Sequence, residues 1–129
     1  MLARGAAVDG ERRRGRIINI GTTAVDEFCA HLNPYVTAKM ALTGMGRSLA
    51  DEFGKYGITV NEVVPGGVWP KERNPSGAEG QPFRERSPLA PGMARPRDVA
   101  ASVVFLASDM AAAITGARVP VCAGQVFQE

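Results

Sequence analysis

Asn33-Pro34-Tyr35-Val36-Thr37-Ala38-Lys39 is where the apolar period of this chain changes from that of a strand to that of a helix. Pro34 carries a fixed φ suited to a first helical turn, where its missing N–H costs nothing. Beyond it Ala38, Leu42, Met45, Leu49 and Phe53 recur at intervals of four, three, four and four, a stripe along one helix face. That stripe serves either core packing or an oligomer interface. Gly44 and Gly46 each weaken the helix by about 1 kcal/mol relative to alanine, a cost that close approach of a neighbouring backbone would offset. Gly54 and Gly57 end the helix near Phe53. Upstream, Ile17, Ile18 and Ile20 form a short apolar run between Arg16 and Gly21, as expected of a parallel strand buried on both faces. Downstream, Ile58, Val60, Val63 and Val64 make a second strand, stopped by Pro65-Gly66-Gly67.

Further out the same alternation continues. Residues 21–33 are irregular and polar, placed where α/β proteins put ligands, at the carboxyl end of a parallel strand. Residues 66–92 have no period, and a connection this long inside a domain reads as a substrate loop. Trp69 and Phe83 are the apolar groups that loop could offer a substrate, or else use to pack itself onto the body. Pro96 opens another helix with Asp98 in its first turn, and Val99, Val103 and Leu106 mark its buried face, with Phe105 as a further candidate. Arg118-Val119-Pro120-Val121-Cys122 reads as a last strand, its proline pointing to an edge or bulge. Strand–helix–strand–helix–strand predicts an α/β fold with a parallel sheet. The layout is 1–14 helix tail and turn, 15–65 strand–helix–strand, 66–92 loop, and 93–129 last helix and strand. Met1-Leu2-Ala3-Arg4 reads as the end of something that begins upstream.

Composition narrows the function classes. A 45% hydrophobic and 22% charged chain is an ordinary globular one, and 129 residues make one domain's worth. The net charge of +2 argues against nucleic acid; Arg12-Arg13-Arg14 with Arg16 reads as a solvated loop beside Asp9 and Glu11. No apolar run approaches the ~20 residues that span a bilayer, so no membrane partner is expected. Cys29 and Cys122 have no metal-ligand spacing, which points to no metal site and to a reduced, cytoplasmic setting. Cys29 is either buried filler or a reactive thiol. His31, the single histidine, either lines a substrate mouth or is solvated.

Tyr35 and Lys39, four apart, share a helix face. An ammonium beside a phenol favours phenolate and lowers a pKa that is otherwise near ~10, as proton transfer near neutral pH requires. Alone, the pair is equally a surface tyrosine beside a solvated lysine. Its surroundings are Gly15-Arg16-Ile17-Ile18-Asn19-Ile20-Gly21-Thr22-Thr23 before it and Ile58-Thr59-Val60-Asn61-Glu62-Val63-Val64-Pro65-Gly66-Gly67-Val68 after it. With Arg95-Pro96-Arg97-Asp98-Val99-Ala100, Phe105-Leu106-Ala107-Ser108-Asp109 and Ile114-Thr115-Gly116, these blocks resemble the short-chain dehydrogenase/reductase family, in order, over residues 15–126.

The resemblance implies the carboxy-terminal half of a Rossmann-like doubly wound parallel sheet, three strands alternating with helices, the amino-terminal nucleotide-binding half being absent. It implies hydride transfer between NAD or NADP and a carbonyl or alcohol substrate, closest to 3-oxoacyl reductases. Tyr35 would be the acid–base, Thr22 would orient the substrate oxygen with Thr23 as backup, and Lys39 would tune Tyr35 and hold the nicotinamide ribose. Pro65, Gly66, Gly67 and Val68 would meet the nicotinamide, Tyr35 and Lys39 also counting as cofactor-binding. Departures are threonine in place of the catalytic serine, Pro70 where threonine is common, and the absence of Gly-x-x-x-Gly-x-Gly, of Asn-Asn-Ala-Gly and of the catalytic asparagine. The alternative is a truncated, non-catalytic half-domain that self-associates. A homo-oligomer is expected on either reading, from the 38–53 stripe and an unpaired strand edge.

Overall fold

A computed structural model describes residues 14–27, 29–68, 87–89 and 93–127. Trp69, Pro70, Phe83 and the stretch before Arg14 lie outside the described residues. Three strands, β1 (Gly15–Ile20), β2 (Ile58–Pro65) and β3 (Arg118–Val121), form a parallel sheet in the order β1-β2-β3. The helix α1 (Asn33–Gly54) connects β1 to β2, and α2 (Pro96–Ala107) precedes β3. Ile17 lies opposite Val60 and Ile20 opposite Val63, while Val63 in turn lies opposite Val119.

β2 is the central strand, and its residues 59–64 are all buried. Its alternation assigns the two helix layers. Val63 packs with Leu106 and Ala111, joined by Ile18, Val99, Val103, Ile114, Val119 and Val121, which places α2 on that face. Glu62 points the other way and meets Thr43 of α1. The layers are therefore helix, sheet, helix.

Pro34 stands in the first turn of α1, and Gly57 takes φ +70° just past its end. At α2 Pro96 is again at the start, and the Asp98 carboxylate accepts the Arg95 N–H at 2.8 Å, capping the helix. Asn61 fastens the approach to β3: its Nδ2 donates to the Ile114 carbonyl at 2.8 Å and its Oδ1 accepts from Ala117 N–H at 3.0 Å.

Four expectations are corrected. The buried residues of α1 are Thr43 and Ala50, not the 38–53 stripe; Ala38 and Met45 are exposed, and Leu42, Leu49 and Phe53 are half-buried. The reason is the Glu62–Thr43 contact, which turns a neighbouring face of the helix to the sheet. Phe105 is exposed and stands outside the α2 core. Gly46 closes on the Asn19 side chain and not on backbone, while Gly44 meets nothing nearby among the described residues. Arg16 is not a solvated loop residue: it lies in β1 with its side chain only 14% exposed. Arg14 does stay exposed, paired with Asp109.

Candidate active site

β1 ends at Ile20, and the next residues carry the first candidate. Thr22 caps a single 3-10 turn (Thr23–Val25), its Oγ1 accepting the Ala24 N–H at 3.3 Å. That cap uses only an acceptor lone pair, so the hydroxyl proton is left to donate. Thr23 differs. It is buried, and its Oγ1 donates to Glu27 Oε1 at 2.8 Å, which commits the backup candidate to the turn itself.

Tyr35 and Lys39 lie on successive turns of α1. The ammonium sits 5.9 Å from the centroid of the Tyr35 ring and donates to the Ile20 carbonyl at 2.8 Å. One carbonyl at the end of β1, two residues before Thr22, thereby holds the lysine over the tyrosine. Tyr35 is 44% exposed, so its ring is open to a small molecule. Lys39 has three donors, and Ile20 takes one; a ribose diol could take the others.

At the end of β2, Gly66 N–H donates to Val121 O at 3.1 Å and Gly67 N–H to Gln125 Oε1 at 2.9 Å. A side chain on Gly66 would press into Cys122, whose Cβ lies 2.6 Å from the place of the missing one. The two glycines therefore serve close packing against the turn after β3, with both amides already used. Val68 is bridged to Ala94. Pro65 ends β2 opposite Val121 and has no N–H to offer. His31 and Cys29 fall in the loop between Thr22 and α1, His31 exposed at φ +66° and Cys29 half-buried and free. Cys122 is buried and free. Among the described residues no group of three or more His, Cys, Asp or Glu side chains is placed to hold a metal, and no helix is long and apolar enough to cross a membrane.

Sequence reasoning missed a polar cluster beside this site. Arg118 grips both oxygens of Asp26 at 3.0 and 2.9 Å, and its Nε lies 3.4 Å from Glu62 Oε2. The hydrogen bonds it donates to Asp26 raise the guanidinium's pKa, burial opposes that, and the charges of Asp26 and Glu62 add to it. Glu62 Oε2 also accepts the Thr43 hydroxyl at 2.8 Å. The signal was present, a glutamate inside an otherwise apolar strand, Ile58-Thr59-Val60-Asn61-Glu62-Val63-Val64.

A parallel sheet sandwiched by helices, with Lys39 tied to the end of its first strand and set over Tyr35, has the layout of half of a doubly wound Rossmann-like sheet. The chain belongs to the short-chain dehydrogenase/reductase family: residues 1–125 match the family described as enoyl-(acyl carrier protein) reductase. It is 41% identical over 113 residues to the 3-oxoacyl-[acyl-carrier-protein] reductase FabG of Pseudomonas aeruginosa, covering 87% of this chain and 45% of that protein. It is 35% identical over 114 residues to the short chain dehydrogenase/reductase astE of Aspergillus oryzae, covering 85% of this chain and 44% of the relative. A short-chain type dehydrogenase/reductase from Mycobacterium ulcerans superposes with a TM-score of 0.82 at 28% identity, over 92% of this chain and 43% of that one. A blue fluorescent protein from a metagenomic library, solved in complex with NADPH, superposes at 0.78 with 34% identity, over 87% of this chain and 45% of that one. The chain spans about half the length of the curated relatives it matches.

Proposed function

We propose that this chain carries the catalytic half of an NAD(P)-dependent oxidoreductase that interconverts a carbonyl and an alcohol, with 3-oxoacyl thioesters as the substrate class. The observation that carries the reading is the Lys39 ammonium, tied to the Ile20 carbonyl and standing over the Tyr35 ring. Its remaining donors suit a ribose diol, so the residues fit the nicotinamide end of the cofactor. They do not supply a pyrophosphate cradle, whose glycine-rich turn is not among these 129 residues. When bound, the nicotinamide supplies or accepts the hydride, which no side chain can carry.

The chain's own residues handle the oxygen and its proton. Thr22 donates its free hydroxyl proton to the substrate oxygen and so orients the carbonyl. Tyr35 gives its phenolic proton to the oxygen as negative charge develops there, or takes it back in the alcohol-to-carbonyl direction. The Lys39 ammonium stands 5.9 Å from the centre of the ring that gives up the proton. Val68 is the residue of 65–68 best left to meet the carboxamide, because Gly66 and Gly67 spend their amides on the fold. Trp69 and Phe83 are assigned to the substrate side by the family resemblance alone.

Support comes from the order of the motif blocks, the 3-oxoacyl-[acyl-carrier-protein] reductase relative and the NADPH-bound structural neighbour. The direct test is reduction of a 3-oxoacyl thioester followed by loss of NADPH absorbance. Tyr35→Phe is expected to lower kcat by at least about 100-fold, the lower end of what general acid–base catalysis contributes. Absence of turnover with either cofactor would favour the non-catalytic half-domain instead.

A further inference from the structure

We propose that Arg118 is a positioning residue for this site, tying the segment that bears Thr22 to the helix that bears Tyr35 and Lys39. The inference rests on the roles given to those three residues above. Asp26 is the residue that closes the 3-10 turn whose first cap is Thr22. Arg118 takes both of its carboxylate oxygens through NH1 and NH2, the two-pronged geometry that only a guanidinium provides. Its Nε faces Glu62, and Glu62 holds the Thr43 hydroxyl. Thr43 lies one turn beyond Lys39 on the same side of α1.

Asp26, Arg118, Glu62 and Thr43 therefore form one continuous line of contacts. It runs from the turn capped by Thr22, across β3 and β2, to the catalytic helix. Its middle is stiff. Glu62 is 5% exposed and Thr43 7%, so the carboxylate has little water to turn to if its partners move. Gly21 completes the fit, because a side chain there would run into the Glu62 carboxylate. Neither Arg118 nor Glu62 touches the reacting atoms. Their effect is on the relative placement of Thr22 and Tyr35, and displacements of about 1 Å between reacting groups can cost about 100-fold in rate.

The test follows two signals by NMR in the intact chain, the Thr22 γ-methyl and the Tyr35 ring, with Tyr56 as internal reference. Thr43→Val removes one hydroxyl at the helix end and is expected to shift the Thr22 methyl; Asp26→Asn, at the other end, is expected to shift the Tyr35 ring. In Arg118→Lys, which keeps the charge and loses the fork, both transmitted shifts should vanish. Substitutions whose effects stay at their own end, or transmitted shifts that survive Arg118→Lys, would overturn the proposal. In turnover, Arg118→Lys should lower kcat by about 10- to 100-fold with KM within about twofold, the pattern of lost alignment. If Tyr35→Phe abolishes turnover while Arg118→Lys leaves kcat unchanged, the positioning role falls and the catalytic reading stands. If Tyr35→Phe leaves turnover intact, the catalytic reading falls, while transmitted shifts abolished by Arg118→Lys would still establish the tether.

Discussion

Gly21 occupies a position that no other residue could fill without moving Glu62, because the carboxylate stands where a Cβ would be. Gly21→Ala is therefore expected to destabilise the chain by about 1–3 kcal/mol, as overpacking does, and Glu62→Ala should remove most of that penalty. Urea midpoints of the two single variants and the double variant check this; additive effects would contradict it. Ala123 shows the opposite fault, a side chain at φ +53° where glycine is at ease. Ala123→Gly should raise stability by about 0.5–1 kcal/mol, the left-handed strain outweighing the added freedom of the unfolded chain. The raised pKa of Arg118 also has a sign that can be worked out. A cation whose folded value exceeds its unfolded one contributes fully below the unfolded value and loses that contribution only as pH climbs through the folded value. The stability difference between the wild type and Arg118→Met should stay level from neutral pH upward. A difference that fades near pH ~10, where lysine and tyrosine titrate, would assign it to other groups.

At the scale of elements, Asn61 does more than extend β2. It satisfies the Ile114 carbonyl and the Ala117 N–H together, while Val60 N–H finds the Thr115 hydroxyl at 3.1 Å. Asn61→Ala would strand two peptide groups and is expected to cost about 2–4 kcal/mol, read from denaturant unfolding. The run Val60-Asn61-Glu62 was legible as strand from its apolar neighbours, but its two polar members were not legible as the fasteners they are. The same blindness explains α1. Its existence, its start at Asn33-Pro34 and its end at Gly54 could be read from proline, period and glycine. Which face it buries could not, because a Thr43–Glu62 hydrogen bond, not an apolar stripe, sets its rotation about its own axis. Tyr35 and Lys39 needed only the spacing of a helix to be brought together. The carbonyl that anchors Lys39 belongs to Ile20, nineteen residues earlier, and no local pattern encodes that contact.

Over the whole molecule, the parallel order β1-β2-β3 places every candidate site residue of the described segments at or past the carboxyl ends of β1 and β2 or on α1. The outer edge of β1 has no strand beside it among the described residues, and Met40 and Met45 are exposed on α1, 47% and 42%. An open strand edge and exposed methionines favour association. The chain is expected to be larger than a monomer by light scattering, and Met45→Glu should shift it toward the monomer. A monodisperse monomer of the unaltered chain would contradict that expectation. On the proposed reading Lys39, anchored by Ile20 and set over Tyr35, builds one end of a nicotinamide site. Its most direct test is a fluorescence titration of the chain with NADH and with NADPH, repeated on Lys39→Ala and Tyr35→Phe. Saturable binding that weakens markedly in Lys39→Ala is the predicted result. No binding at millimolar cofactor, or binding indifferent to Lys39→Ala, would contradict it.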